Sequence, residues 1–161
     1  MKKHDYRRRT ELRTNYEKRF GMLKSKIPRV VVRLTNKRVI MQYVLHDIKG
    51  DNVKLSVFSD VLSGLGLKAE SYKSRYCGYL AGYYFGKKVV ALKFKKEAIL
   101  DLGMQKIHKG GKLFSVLKGM VDSGLSIAHE PEILPEMKTL LAGKPEAELK
   151  EYLTKIDMLK F

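Results

Sequence analysis

The 161-residue chain is 44% apolar and holds one cysteine, Cys77, which excludes a wholly disordered polymer, an internal disulfide framework and a cysteine-cluster zinc site. Lys and Arg number 33 against 17 Asp and Glu, a formal net charge of +16, and self-repulsion of that size points to a polyanionic partner. The longest uncharged, mostly apolar run, Tyr76 to Gly86, is far short of the roughly 20 residues a membrane span needs; the start has no apolar signal-peptide stretch, and a cytoplasmic setting is expected.

The charge is uneven. Residues 1–40 hold 14 Lys/Arg and 3 acids, a net of +11, and residues 41–123 a net of +7. Residues 124–161 carry a net of −2. A polyanion is therefore expected to meet the N-terminal end first. Residues 1–13 read as a basic arm, residues 14–137 as an α/β domain and residues 138–161 as an acidic helical tail.

In chain order, a helix is expected from Thr14, with Thr14 and Glu17 as a capping box and Tyr16, Phe20 and Leu23 as an apolar stripe. Residues 29–46 read as a β-hairpin turning at Asn36-Lys37. That turn puts Val30, Val32, Leu34, Val39, Met41, Tyr43 and Leu45 on a core face. The other face carries Arg29, Val31, Arg33, Arg38, Ile40 and Gln42. After a turn at residues 49–52, Val53 to Ser59 alternates as a third strand, and Asp60 stands where it could cap a short helical turn. Residues 71–92 form a long helical pattern in which Gly78, Gly82 and Gly86 leave a bare stripe for close approach of another element. Residues 97–102 read as a buried strand, 103–111 as a loop and 112–123 as a helix closed by Gly124. The chain then turns irregular from about residue 126, and Pro145 opens a terminal helix. The order predicts a single α/β domain with a mixed sheet: three antiparallel strands, then helix, strand, helix.

Arg7, Arg8, Arg9, Arg13, Lys18 and Arg19 lie among Tyr6 and Tyr16. Guanidinium groups bond phosphate in a bidentate way and stack on bases, and tyrosine offers a stacking face. A localisation signal or a solubilising tail is the bland alternative. The hairpin face is more specific, because residues 18–46 contain no acid at all. On it Arg29, Arg33 and Arg38 could hold a backbone, with Gln42, Asn36 and Lys37 beside them. Lys109 and Lys112 flank Gly110-Gly111 at a helix start, a spacing that is no P-loop but allows an RNA-backbone contact; a flexible turn is equally compatible.

Little favours catalysis. His4, His46, His108 and His129 have no partner at metal-ligand spacing, and Cys77 sits in an apolar helix. Asp101 ends a buried strand, where it could fix a loop. A two-metal nuclease would want an acid on the first strand too, where Arg33 stands instead. No cofactor is implied, nor a membrane or a small-molecule substrate.

The ordered set of residues resembles a known family. It runs from Arg7-Arg8-Arg9 and Thr14–Arg19 through Pro28–Arg33, Asn36 and Gln42 to Tyr79-Leu80-Ala81-Gly82 and Gly86. Its clearest block is Glu97–Gly103, Phe114–Gly119 and Asp122–Leu125, followed by His129, Pro131–Ile133 and Pro135-Glu136. This is similar to the 5S-rRNA-binding large-subunit ribosomal protein family L-eighteen, in its archaeal and eukaryotic form. Gly111 and Ala128 depart from its usual serine and proline. The resemblance implies a non-catalytic protein of the central protuberance, with 5S rRNA, 23S rRNA and neighbouring ribosomal proteins as partners, including a second 5S-binding protein. It implies RNA contacts at Arg7, Arg8, Arg9, Tyr16, Arg19, Arg29, Arg33, Asn36 and Gln42. A general nucleic-acid packaging protein remains the other binding class.

Overall fold

The computed structural model describes residues 7–94, 97–141 and 143–159. His4 and Tyr6 lie outside them. A short helix, α1 (Arg7–Thr10), precedes α2 (Tyr16–Lys24). Three strands follow, β1 (Arg29–Leu34), β2 (Val39–Asp47) and β3 (Gly50–Phe58), then α3 (Val61–Gly64) and α4 (Arg75–Ala91). The chain continues through β4 (Glu97–Asp101), α5 (Lys112–Asp122) and β5 (Ser126–Ile127). A 3-10 turn (Pro131–Ile133), α6 (Met137–Leu141) and α7 (Glu146–Asp157) complete it.

The five strands make one mixed sheet in the order β3-β2-β1-β4-β5. β1, β2 and β3 are antiparallel neighbours, whereas β4 runs parallel to β1 and β5 parallel to β4. The hairpin register is the one its turn predicts, with Arg33 opposite Ile40 and Val31 opposite Gln42. A bulge at Tyr43/Val44 then breaks the alternation. Past it Val44, paired with Arg29, is also buried.

The core lies between the sheet and helices α4 and α5. Val30, Val32, Met41 and Leu55 pack there against Leu80, Phe85, Leu117 and Met120. Every residue from Tyr76 to Gly86 is buried, so α4 is enclosed all round instead of amphipathic. The bare stripe meets α5: a Cβ on Gly82 would fall on the Val116 carbonyl, and one on Gly78 would lie 3.1 Å from a Val116 methyl. Gly119 of α5 answers it, since a Cβ there would fall on the Tyr79 carbonyl.

Several local expectations change. The α2 cap is Asn15, whose Oδ1 accepts from the Lys18 amide at 2.9 Å, because Thr14 Oγ1 is engaged by Arg8 Nε at 3.2 Å. Asp60 makes no side-chain cap for α3 and pairs with Arg38 instead. Ser126–Ile127 is a strand where irregular chain was expected. The acidic tail folds back onto α4: Leu149 and Ile156 are buried, and the Tyr83 hydroxyl donates to Asp157 at 3.0 Å. Among the described residues no helix is long and apolar enough to cross a membrane.

Candidate nucleic-acid interface

The N-terminal segment is built from short polar links. Glu11 collects Arg7 Nε at 2.7 Å and Arg13 Nε at 3.0 Å. Both arginine side chains stay mostly exposed, and pairs of that kind contribute little, so a phosphate can replace them. Arg8, held near Thr14, lines a concavity with Arg13, Lys18, Arg19 and Arg33. Five cations thus converge there from the arm, α2 and β1. Among the described residues the one carboxylate lining it is Asp101.

Asp101 is fully engaged. Its Oδ2 takes Arg29 Nη1 at 3.1 Å, and its Oδ1 takes Arg33 Nη2 at 3.0 Å and the Gly103 amide at 2.8 Å. Arg33 Nη1 also donates to the Asp101 carbonyl at 2.6 Å and the Val32 carbonyl at 2.9 Å. Gly103 leaves the room this needs, because a Cβ there would lie 2.9 Å from the Arg33 guanidinium carbon. A carboxylate clamped between two guanidiniums is poorly placed to ligate a metal. Among the described residues no three His, Cys, Asp or Glu side chains cluster closely enough to hold one.

The acid-free stretch of sequence does not make an acid-free face. Asp51, Asp60 and Asp101 arrive from β3, the loop after it and β4. Arg29 is 2% exposed and buried between Asp101 and Asp51, with Nη2 2.8 Å from Asp51 Oδ1. Asp51 Oδ2 also takes Arg19 Nη2 at 2.6 Å. Burial pushes the Asp51 carboxyl up, but Arg29 and Arg19 beside it outweigh this and hold it below its ordinary value.

Farther along the hairpin, Thr35 Oγ1 accepts from the Arg38 amide at 3.1 Å and leaves Asn36 and Lys37 exposed at the tip. The Lys37 carbonyl accepts from the Tyr72 amide at 2.8 Å, which pins the turn. Arg38 Nη1 meets Asp60 at 2.8 Å, and its guanidinium carbon sits 4.8 Å from the centre of the Phe58 ring. Phe58, 41% exposed on the face carrying Ile40 and Gln42, was not among the residues expected from sequence. Its outward phase in the alternating strand was the available signal. Gln42 Nε2 donates to Ser56 Oγ at 3.5 Å.

Lys109 and Lys112 line a separate cleft with Arg75, Lys106 and His108. Arg75, at the start of α4, was likewise missed, because only the fold brings it to the start of α5. Lys109 and Glu132 are 3.6 Å apart and both largely exposed, so that pair does not neutralise the cleft. Gly111 caps α5 without a side-chain bond. Most of the expected residues thus fall into three groups: the concavity by α2, the hairpin tip with its open face, and the cleft at α5; Arg7, Arg9 and the buried Arg29 line none of them. Tyr16 also stands outside all three, 38% exposed on α2 with Arg9 in a shallow apolar depression.

Comparison with known proteins finds a family match. The profile of the family described as ribosomal large subunit proteins 60S L5 and 50S L18 matches residues 1–98 and 84–130. The large ribosomal subunit protein uL18 of Methanothrix thermoacetophila is 40% identical over 131 residues, 81% of this chain and 76% of that protein. Its counterpart in Methanoculleus marisnigri is 38% identical over 135 residues, 84% and 76% of the two chains. That of Thermoplasma volcanium is 37% identical over 136 residues, 84% and 83%. With a profile covering most of its length and relatives at this identity, the chain belongs to the family of the large-subunit ribosomal proteins 60S L5 and 50S L18.

Proposed function

We propose that this protein binds 5S rRNA and helps attach it to 23S rRNA in the central protuberance of the large subunit, as a non-catalytic component of cytoplasmic ribosomes. Its neighbours there are other large-subunit proteins, a second 5S-binding protein among them. The observation that carries this reading is the concavity where Arg8, Arg13, Lys18, Arg19 and Arg33 converge. Five guanidinium and ammonium groups on three elements suit a folded phosphate backbone better than a small ligand. Arg7, Arg9 and Tyr16 extend that surface along the arm and α2. Asn36, Lys37, Arg38 and Gln42 extend it along the hairpin, and Lys109 and Lys112 supply a second backbone contact. Arg29, being buried, serves from behind by holding the acids that order its neighbours.

The mechanism is phosphate neutralisation plus recognition of RNA shape, without base-by-base reading of a duplex. Competition at fixed salt between 5S rRNA, tRNA and duplex DNA tests it. Tighter binding to 5S rRNA by at least about tenfold is expected, since shape recognition adds to the non-specific electrostatic term. Equal affinity for all three would make the protein a general packaging protein and overturn the reading.

A further inference from the structure

Five ionised side chains alternate in sign from α2 into the sheet and out again: Arg19, Asp51, Arg29, Asp101, Arg33. The successive gaps are 2.6, 2.8, 3.1 and 3.0 Å. The middle of the chain is dry, with the Arg29 and Asp101 side chains 3% and 9% exposed. Its ends are wet, with Arg19 40% and Arg33 36% exposed, and both ends open into the same concavity. The helix that carries Arg19 contributes no buried residue of its own. Apolar burial therefore does little to fix α2 on the sheet, and a charge-assisted contact has correspondingly more to do.

We infer that Asp51 is a positioning residue for the RNA contact: through Arg19 it holds α2 against the sheet, so that Arg19 and Arg33 face one segment of phosphate backbone. This rests on the functional reading above. The link is anchored in the sheet, because Asp51 Oδ1 also meets Arg29, and Arg29 in turn is held by Asp101. An unanchored surface pair would be weak and mobile. This one is continuous with a buried network whose members cannot separate without stranding a charge. RNA then meets a surface already ordered and loses less conformational freedom on binding.

The inference has a sign that simple charge counting lacks. Asp51 is an acid beside a surface that binds a polyanion, so by Coulomb repulsion alone its removal strengthens RNA binding. If Asp51 positions α2, its removal weakens binding although the protein becomes more positive. The experiment measures 5S rRNA affinity against salt for the wild type, Asp51→Asn, Asp51→Glu, Arg19→Ala and the double variant Arg19→Ala/Asp51→Asn. Asp51→Asn is expected to weaken binding roughly tenfold and to lower the slope of log K on log salt by about one, the signature of one lost phosphate contact. Asp51→Glu should recover part of both. The double variant should be no weaker than Arg19→Ala, because the two residues act through one contact. Unchanged or tighter binding by a folded Asp51→Asn overturns the inference.

Should Asp51→Asn fail to fold, Arg19→Ala leaves the buried carboxylates in place and still tests the docking. Without RNA, trypsin should then cut faster at Lys18 and Lys24, and unchanged cleavage rates overturn the inference. A wild type without preference for 5S rRNA would instead overturn the functional reading and leave this protease result standing.

Discussion

At Asp101 one carboxylate accepts from Arg29, Arg33 and the Gly103 amide at once, so a single side chain fixes two guanidiniums and the loop after β4. The strand-end acid therefore orders the loop, and catalysis is left without a free carboxylate at this point. Asp51 does the same work nearer the surface. Its folded carboxyl lies below the ordinary value of 3.8, so the proton is lost more easily in the folded state than in the unfolded one. The sign follows: its contribution to stability is complete above that ordinary value and disappears as pH falls through the depressed folded value. Unfolding in urea should separate wild type from Asp51→Asn at about pH 6, with the wild type more stable, and the difference should shrink towards about pH 2. A gap that is independent of pH would mean the carboxylate is not held by its arginines.

At the scale of elements, the crossing of α4 and α5 sets how close the second layer comes. Gly82 and Gly119 face carbonyls of the opposite helix, with no space for a methyl group on either side. Gly82→Ala should lower the unfolding free energy by about 3 kcal/mol, the upper end of overpacking. Gly21→Ala is the contrasting case, because no atom beyond its chain neighbours and its own helix backbone lies within 4 Å of the added methyl on exposed α2. It should raise stability by about 1 kcal/mol through helix propensity. Guanidinium denaturation of the two variants checks both signs. The same elements show what a sequence can carry. Period-four glycines and alternating β-branched residues are local patterns, so α4 and the hairpin register were legible. The partner glycine on α5, the bulge at Tyr43/Val44 and the two-residue β5 depend on tertiary contact and were not. Nor was the cap: Thr14 fits the capping pattern as well as Asn15, but the arm's Arg8 engages it. The site divides in the same way. The arginines of residues 18–46 stand out as a run without acids, yet Asp51, Asp60 and Asp101, which pair with them, come from a distant strand or loop.

The whole molecule has a basic side and a slightly acidic end, with α4 between. The tail is held by Leu149 and Ile156 below the surface and by Asp157, which takes the Tyr83 hydroxyl and Lys87 Nζ at 2.8 Å. Ile156→Ala should cost about 2–5 kcal/mol, as for other fully buried aliphatic side chains. It should leave 5S rRNA affinity within about twofold at temperatures where the protein stays folded, since mutations at distant sites act independently. Calorimetry and filter binding on one preparation decide it. A matching loss of affinity would place the tail in the RNA interface.

The parallel pairing of β1 with β4 carries a consequence in time. Arg29 and the Asp101 carboxylate that it meets are 72 residues apart. During synthesis the arm, α2 and the hairpin leave the ribosome with their full positive charge well before Asp101 exists to order it. For that interval the nascent chain is a polycation that lacks one of its internal counter-ions, able to adhere to RNA nearby. The order that the proposed RNA contact needs is acquired late, when β4 docks beside β1 and the arginines are drawn into register. The distance along the chain between an arginine and its aspartate thus sets when, and not only where, the basic surface becomes ordered.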